Sequence, residues 1–244
     1  MNTLVITQVA PRQWHALDDD LVVGRGEAST RPDGRIFLSI DVWYDDVFDR
    51  LAEAMLAALP RPLYTVVDEA DVDLAAKWRY AGLTIRRREW EYVLPADLGR
   101  PAPLPVVTML PLGAAELRPL RRLDRAIRAE IESTVGWQQM PAEVLSRPLD
   151  PARYVVAAET DAYVGLARFV LLPRQTRIGL LAVRADRRRR GIARALLGEI
   201  VAATHDRGVA TVSAEVHEAN VAAIAFFEGA GARRAGSNLE LVIY

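Results

Sequence analysis

Apolar residues along this chain repeat with two periods, and the places where one gives way to the other mark its elements. Residues 4–9 read as a strand, and 21–27 and 35–42 as two more joined through the turn sequence Pro32-Asp33-Gly34. Residues 47–59 (VFDRLAEAMLAAL) switch to helical spacing, and Pro60 stops them. A strand at 63–67, a helix at 71–80 closed by Gly82 and a strand at 84–94 complete the first part.

Residues 95–105 interrupt the pattern with Pro95, Pro101, Pro103 and Pro105, which suits a semi-rigid extended linker. Beyond it, 106–110 predict a strand and 114–131 a long helix striped by Leu117, Leu120, Leu123, Ile127 and Ile131. Its opposite face carries Arg118, Arg121, Arg122, Arg125 and Arg128 and reads as solvated. Residues 133–147 have little regular pattern at their start. Strands at 153–158 and 163–171 form a hairpin, 178–183 and 209–216 predict two strands more, and 239–244 close the sheet. This order predicts an α/β protein with a mixed sheet, in two domains at 1–94 and 106–244 joined by the linker 95–105.

The chemistry concentrates in residues 177–197 (RIGLLAVRADRRRRGIARALL). A strand here runs through a turn with four consecutive arginines into a helix that starts at Gly191, with Ile192, Ala195, Leu196 and Ile200 at helical spacing. Such a helix start gathers unpaired N–H groups and partial positive charge, a ready anion site. Gly191 has no Cβ to hold a phosphate off, and neighbouring arginines add charge-assisted hydrogen bonds.

The spacing Arg188-x-x-Gly191-x-Ala193 resembles the R/Q-x-x-G-x-G/A signature of the GNAT acetyltransferase superfamily. Val183 stands at its leading Val, Ala185 replaces a frequent Pro, and Ala193 takes the second Gly position. Downstream, Glu215, Val216, Asn220, Ala223, Ile224, Glu228 and Gly231 resemble the second signature, E-V-x-x-x-N-x-x-A-I-x-x-Y-E-x-x-G. Asn220 is also a good N-cap, and Gly229 and Gly231 end the short helix. The resemblance covers roughly residues 106–244. It implies that Arg188, Arg189, Arg190, Gly191, Ile192, Ala193 and Asn220 bind the cosubstrate acetyl-CoA. It also implies that Leu181, Ala182 and Val183 border its acetyl end, with a backbone N–H as oxyanion donor, and that Phe227 lies beside the thiol.

A weaker similarity lies within the chain: residues 67–83 align without a gap on 216–232, placing Asp71 on Asn220 and Gly82 on Gly231. The first half therefore resembles a shortened, degenerate GNAT repeat. Tyr44-Asp45-Asp46 precedes its helix where phosphate would sit, so the expectation is that this half does not bind CoA.

Composition narrows the classes. Net charge is −1, which argues against nucleic-acid binding by overall field. Cysteine is absent, removing thiolate nucleophiles and Cys-based metal sites, and three scattered histidines predict no metal. The start MNTLVITQVAPRQW is unlike a signal peptide and no apolar run suits a membrane helix, so a cytoplasmic protein without membrane contact is expected.

Acetyl transfer needs a neutral amine, an oxyanion donor and a proton for the leaving thiolate. In some GNAT relatives the position of Glu215 is the general base. A Tyr often follows twelve residues later as the acid, but here Phe227 stands there and has no proton to give. The thiolate then leaves without a dedicated acid, water or another hydroxyl such as Tyr154 serves, or activity is lost. The resemblance places 133–147 along the acceptor pocket, so Glu130, Glu132 and Trp137 are candidates to contact a cationic ring. Trp137 reads equally as a packing anchor, and His217 as a base or a loop histidine. The stretches 132–141 and 154–169 resemble aminoglycoside-type, kasugamycin-like acetyltransferases. The expected function is acetyl transfer from acetyl-CoA to the primary amine of a small polar molecule, an aminosugar antibiotic first. Protein N-termini or lysines are the alternative acceptors, and a non-catalytic acyl-CoA-binding module is the rival. Exposed strand edges are compatible with a homodimer.

Overall fold

The computed structural model describes residues 4–31, 33–96, 104–134, 136, 149–160 and 162–244. The chain divides into two compact units, Met1–Trp90 with Gly236–Tyr244, and Glu91–Ala235. The final strand thus belongs with the first unit, whereas the sequence pattern assigns all of 106–244 to the second domain. The strand before the proline-rich segment runs across the division.

Unit 1 holds β1 (Val5–Ala10), β2 (Gln13–Asp18), β3 (Leu21–Thr30), β4 (Ile36–Val42), α1 (Asp45–Ala58), β5 (Leu63–Asp68), α2 (Val72–Tyr80) and the start of β6 (Thr84–Pro95). Strand β2 has no counterpart in the sequence expectation. Its QWHALD mixes polar and apolar residues over too short a run to stand out, and pairing with β1 and β3 makes it a strand. The helices bury Phe48, Leu51, Met55 and Trp78 on one sheet face against Trp14, Leu38, Leu63 and Leu241. Phe48 and Trp78 meet edge to face at 5.0 Å.

Unit 2 contains β7 (Thr108–Leu110), α3 (Leu117–Thr134), β8 (Tyr154–Glu159), β9 (Ala162–Leu171), β10 (Thr176–Val183), α4 (Ile192–His205), β11 (Thr211–His217) and α5 (Val221–Gly229). The last strand, β12 (Arg233–Ile243), starts six residues before the sequence pattern suggests. It pairs antiparallel with β5 from Asn238↔Asp68 to Ile243↔Leu63, so it completes unit 1. In unit 2, strands run antiparallel from β7 to β10, and β10 pairs parallel with β11. Helix α3 buries Leu120, Leu123 and Ile127 against Tyr154, Val156 and Leu166. On the other face, a Cβ at Gly165 would stand 3.0 Å from Ile192 and 3.1 Å from Leu196, so that glycine lets α4 lie close to β9.

The internal repeat is visible in detail. Asp71 and Asn220 cap α2 and α5 alike, each side chain accepting from the N–H three residues on, at 3.0 and 3.1 Å. Gly82 and Gly231 follow the two helices with φ of 98° and 88°, left-handed conformations that glycine adopts without strain. Gly24, like Gly165, faces the helix that follows the next strand: its Cβ would meet Val47 and Leu51. The repeats part at the turn before that helix. Val47 is the fifth residue after Val42, whereas Ile192 is the ninth after Val183.

Candidate functional site

Strand β10 is held by β9 along its length but by β11 only from Thr176↔Val212 to Ile178↔Ala214. A bulge between Ile178 and Leu180 bends β10 at that point, and the two parallel strands part beyond it. Residues 180–183 therefore present one backbone edge to an opening rather than to a neighbouring strand. Leu181, Ala182 and Val183, the expected neighbours of the acetyl group, lie on this edge.

After Val183 comes a short 3-10 turn, Ala185–Arg187, and then two left-handed residues, Arg189 with φ 64° and Gly191 with φ 81°. Such a conformation costs a non-glycine residue about 1–2 kcal/mol, so Arg189 is held there by its surroundings. Gly191 is the N-cap of α4 and offers no side-chain cap, leaving the first-turn N–H groups turned outward. Alternating backbone of this kind, at a helix start, forms a concave anion nest. A Cβ on Gly191 would add strain and stand 3.3 Å from Leu104.

The four arginines divide by role. The Arg187 side chain binds Glu159 at 2.9 Å and Asp186 at 2.7 Å, and those acids raise its already high pKa. Arg188 donates to the Val183 carbonyl at 3.2 Å and to Glu130 at 3.1 Å. Arg189 and Arg190 point to solvent. Thus two guanidiniums brace the turn and two stand exposed at its surface.

Glu130 was expected at the acceptor; the structure instead puts both its oxygens 3.1 Å from the Ala185 N–H, beside Arg188. It is tied to the turn between β10 and α4. Glu132, on the same last turn of α3, is exposed and makes its own contacts. Trp137 lies outside the described residues. The Nδ1 atom of His217 accepts from the Ala219 N–H at 3.1 Å, so it shapes the turn into α5. The Oδ1 atom of Asn220 is taken up by its capping bond.

Glu215 lies on the same sheet face as α3, where its Oε2 accepts from Arg177 at 2.5 Å. Phe227 is buried at the C-terminal end of α5, stacked on Tyr92 at 6.0 Å and 17°. The Tyr92 hydroxyl donates to Glu228 at 2.9 Å and accepts from Arg234 at 3.2 Å, so a phenol does stand beside the phenylalanine. Tyr154 is buried among Arg168, Asp124 and Arg128. Burial pushes its phenol above the ordinary tyrosine value, which makes it a poorer proton donor than a free tyrosine.

Sequence reading missed Arg177, the partner of Glu215, and Arg168, buried in β9. It also missed Arg194, which donates to the Gly229 carbonyl at 2.5 Å and ties the start of α4 to the end of α5. The only hint was an arginine interrupting an otherwise apolar strand or helix stretch. No group of three or more His, Cys, Asp or Glu among the described residues could hold a metal, and no helix among them is long and apolar enough to cross a membrane.

Residues 120–232 match the family model described as Acetyltransferase (GNAT) family. No curated protein matches the chain at a significant level. Among solved structures the chain is similar to a GCN5-related N-acetyltransferase from Sphaerobacter thermophilus, with TM-score 0.70 and 17% identity over 97% of this chain and 82% of that one. It is similar to a tandem GNAT protein from the clavulanic acid biosynthesis pathway, with TM-score 0.68 and 15% identity over 95% and 82%. A GCN5-related N-acetyltransferase from Kribbella flavida gives TM-score 0.65 and 15% identity over 98% and 89%. At these identities the likeness establishes the fold.

Proposed function

From a chain whose residues 120–232 are a GNAT acetyltransferase domain, we propose that the protein transfers an acetyl group from acetyl-CoA to the primary amine of a small polar molecule. The observation that carries this reading is the nest at residues 188–193, with Arg189 and Gly191 left-handed at the open end of α4. Pyrophosphate would accept from the outward N–H groups there, with Arg189 and Arg190 adding charge. The thioester would then reach the opening where β10 leaves β11. An N–H on the 181–183 edge would meet the carbonyl oxygen as charge develops on it. The amine nitrogen forms the new C–N bond, the C–S bond breaks, and the sulfur leaves with the electron pair.

The amine must lose one proton and the sulfur gain one. Glu215, on β11 and paired with Arg177, is the candidate for the first. Phe227 has none for the second, so solvent supplies it. An aminosugar acceptor rests on the resemblance of 132–141 and 154–169 alone. A non-catalytic CoA-binding role draws on two observations, the missing hydroxyl at Phe227 and the ion pair at Glu215.

Calorimetry with acetyl-CoA and assays of CoA thiol release across amine classes test the reading. Gly191→Glu is the control: a carboxylate in the nest, forced onto a left-handed backbone, is expected to weaken acetyl-CoA binding at least a hundredfold. Unchanged affinity in that variant would remove the nest from the site.

A further inference from the structure

We infer that the outer face of α3 is a docking surface for helix α1 of a second copy of this chain. Arg118, Arg121, Arg122 and Arg125 recur at i, i+3, i+4 and i+7, so they form one stripe about 10 Å long. The buried residues Leu120, Leu123 and Ile127 take the opposite side of the helix, and all four arginines are exposed. Arg125 Nε donates to the Arg121 carbonyl, and none of the four has an acidic partner among the described residues. Arg128, the next arginine along α3, differs: it is half-buried and holds Asp124.

Such a stripe works against the helix that carries it. Like charges three or four residues apart repel, and here Arg118 neighbours Arg121 and Arg122, and Arg125 neighbours both as well. Arg118 also stands in the first turn, at the positive end of the helix dipole, where an acid is favoured and none is present. A helix face that met only water would gain from acids interleaved with its bases. An anionic partner relieves both conflicts.

The complementary surface lies in unit 1. Asp45, Asp46, Asp49 and Glu53 share the exposed side of α1, opposite Phe48, Leu51, Ala52 and Met55. Asp46 to Glu53 is the same distance along a helix as Arg118 to Arg125, so the stripes match in length. Lys77 holds Asp45 at 2.5 Å, whereas Asp46, Asp49 and Glu53 have no ion-pair partner among the described residues. Arg50, the basic residue of α1, flanks the stripe. Trp43 and Tyr44, each 61% exposed, come just before it and offer ring faces to guanidinium groups. The division of charge extends beyond the two helices. Unit 1 has 11 bases against 16 acids and unit 2 has 20 against 16, so a chain of net charge −1 is divided into parts of −5 and +4. Opposite fields steer unit 1 of one copy toward unit 2 of another. Both stripes are exposed in the single chain, so their pairing is between chains.

Sedimentation equilibrium of the full chain tests this. Copies should associate at about 0.02 M salt, and association should weaken at least tenfold by about 0.5 M as exposed charges are screened. Two double variants reverse one stripe each: Arg121→Glu with Arg125→Glu, and Asp49→Arg with Glu53→Arg. Each introduces good helix formers and should weaken association at least tenfold. Circular dichroism and unfolding midpoints check that both fold. Mixed one to one, the two should associate within about threefold of wild type. The acidic α3 of the first then meets the basic α1 of the second, and their unchanged helices still match. Damage to the fold would give no such recovery. If either reversal does not fold, the neutral pairs Arg121→Gln with Arg125→Gln and Asp49→Asn with Glu53→Gln still read the loss. A wild-type chain that stays monomeric at low salt, reversals without effect, or a mixture no tighter than either variant alone would overturn the inference. So would salt-sensitive binding of duplex DNA through these arginines by a chain that does not self-associate.

Discussion

Glu130 shows what a single side chain contributes to the turn between β10 and α4. Its carboxylate holds the Ala185 N–H and one arm of Arg188, which in turn grips the Val183 carbonyl. Removing it leaves two donors to find water and loosens a turn whose next residue is strained. A hydrogen bond to a charged group contributes about 1.5–3 kcal/mol when buried, and this one is partly exposed, so its share is at the low end or below. Glu130→Ala should therefore raise the Kd for acetyl-CoA severalfold and leave KM for the acceptor amine unchanged. The reverse split would return Glu130 to the acceptor side. Tyr154 gives a second test at this scale. Burial raises its pKa in the folded protein, Asp124 adds to the rise, and Arg168 and Arg128 oppose it. A raised value means that the folded state holds the proton more tightly than the unfolded chain. The stability this gives is complete below the ordinary value of about 10 and is lost as pH rises through the folded value. Denaturant midpoints followed from pH 8 upward should fall more steeply for wild type than for Tyr154→Phe, and parallel curves would refute the assignment.

Helices α2 and α5 are the same element written twice, which makes them a controlled comparison. Asp71→Ala and Asn220→Ala each remove an equivalent cap and should each cost about 1 kcal/mol of stability. Only Asn220→Ala should also weaken acetyl-CoA binding, because α5 borders the site and α2 has no turn to serve. Equal loss of affinity in both variants would contradict that division. Most of these elements were legible in the sequence because their signals are local. Asp71 and Asn220 announce caps, Gly82 and Gly231 announce ends, and the Arg188 to Ala193 spacing marks the turn. What escaped depends on residues far apart in the chain. Strand β2 is a strand because β1 and β3 flank it, and β12 completes unit 1 because its Leu239, Leu241 and Ile243 meet the α1 and α2 core. Glu130 is informative only once the end of α3 is seen to lie beside Ala185. No periodicity encodes such pairings.

At the scale of the molecule, the repeat raises the question of how many cofactors one chain binds. Unit 1 keeps much of the frame: a parallel β4–β5 pair that ends after Phe37↔Tyr64, a glycine under the following helix, and a capped second helix. Three differences argue against CoA binding there. Its turn is four residues shorter, so no nest intervenes between Val42 and Val47. Asp45 and Asp46 fill the first turn of α1, placing negative charge where a pyrophosphate would need positive. Where β4 and β5 begin to part, the Thr65 hydroxyl donates to the Leu38 carbonyl at 3.0 Å and bridges the gap. Its counterpart in unit 2 is Ala214, whose methyl bridges nothing. Each difference alone would weaken binding, and together they predict a single site. Calorimetric titration with acetyl-CoA should give one site per chain, and Gly191→Glu should remove all measurable heat rather than half of it. A second site surviving in that variant would show that unit 1 binds the cofactor in another way.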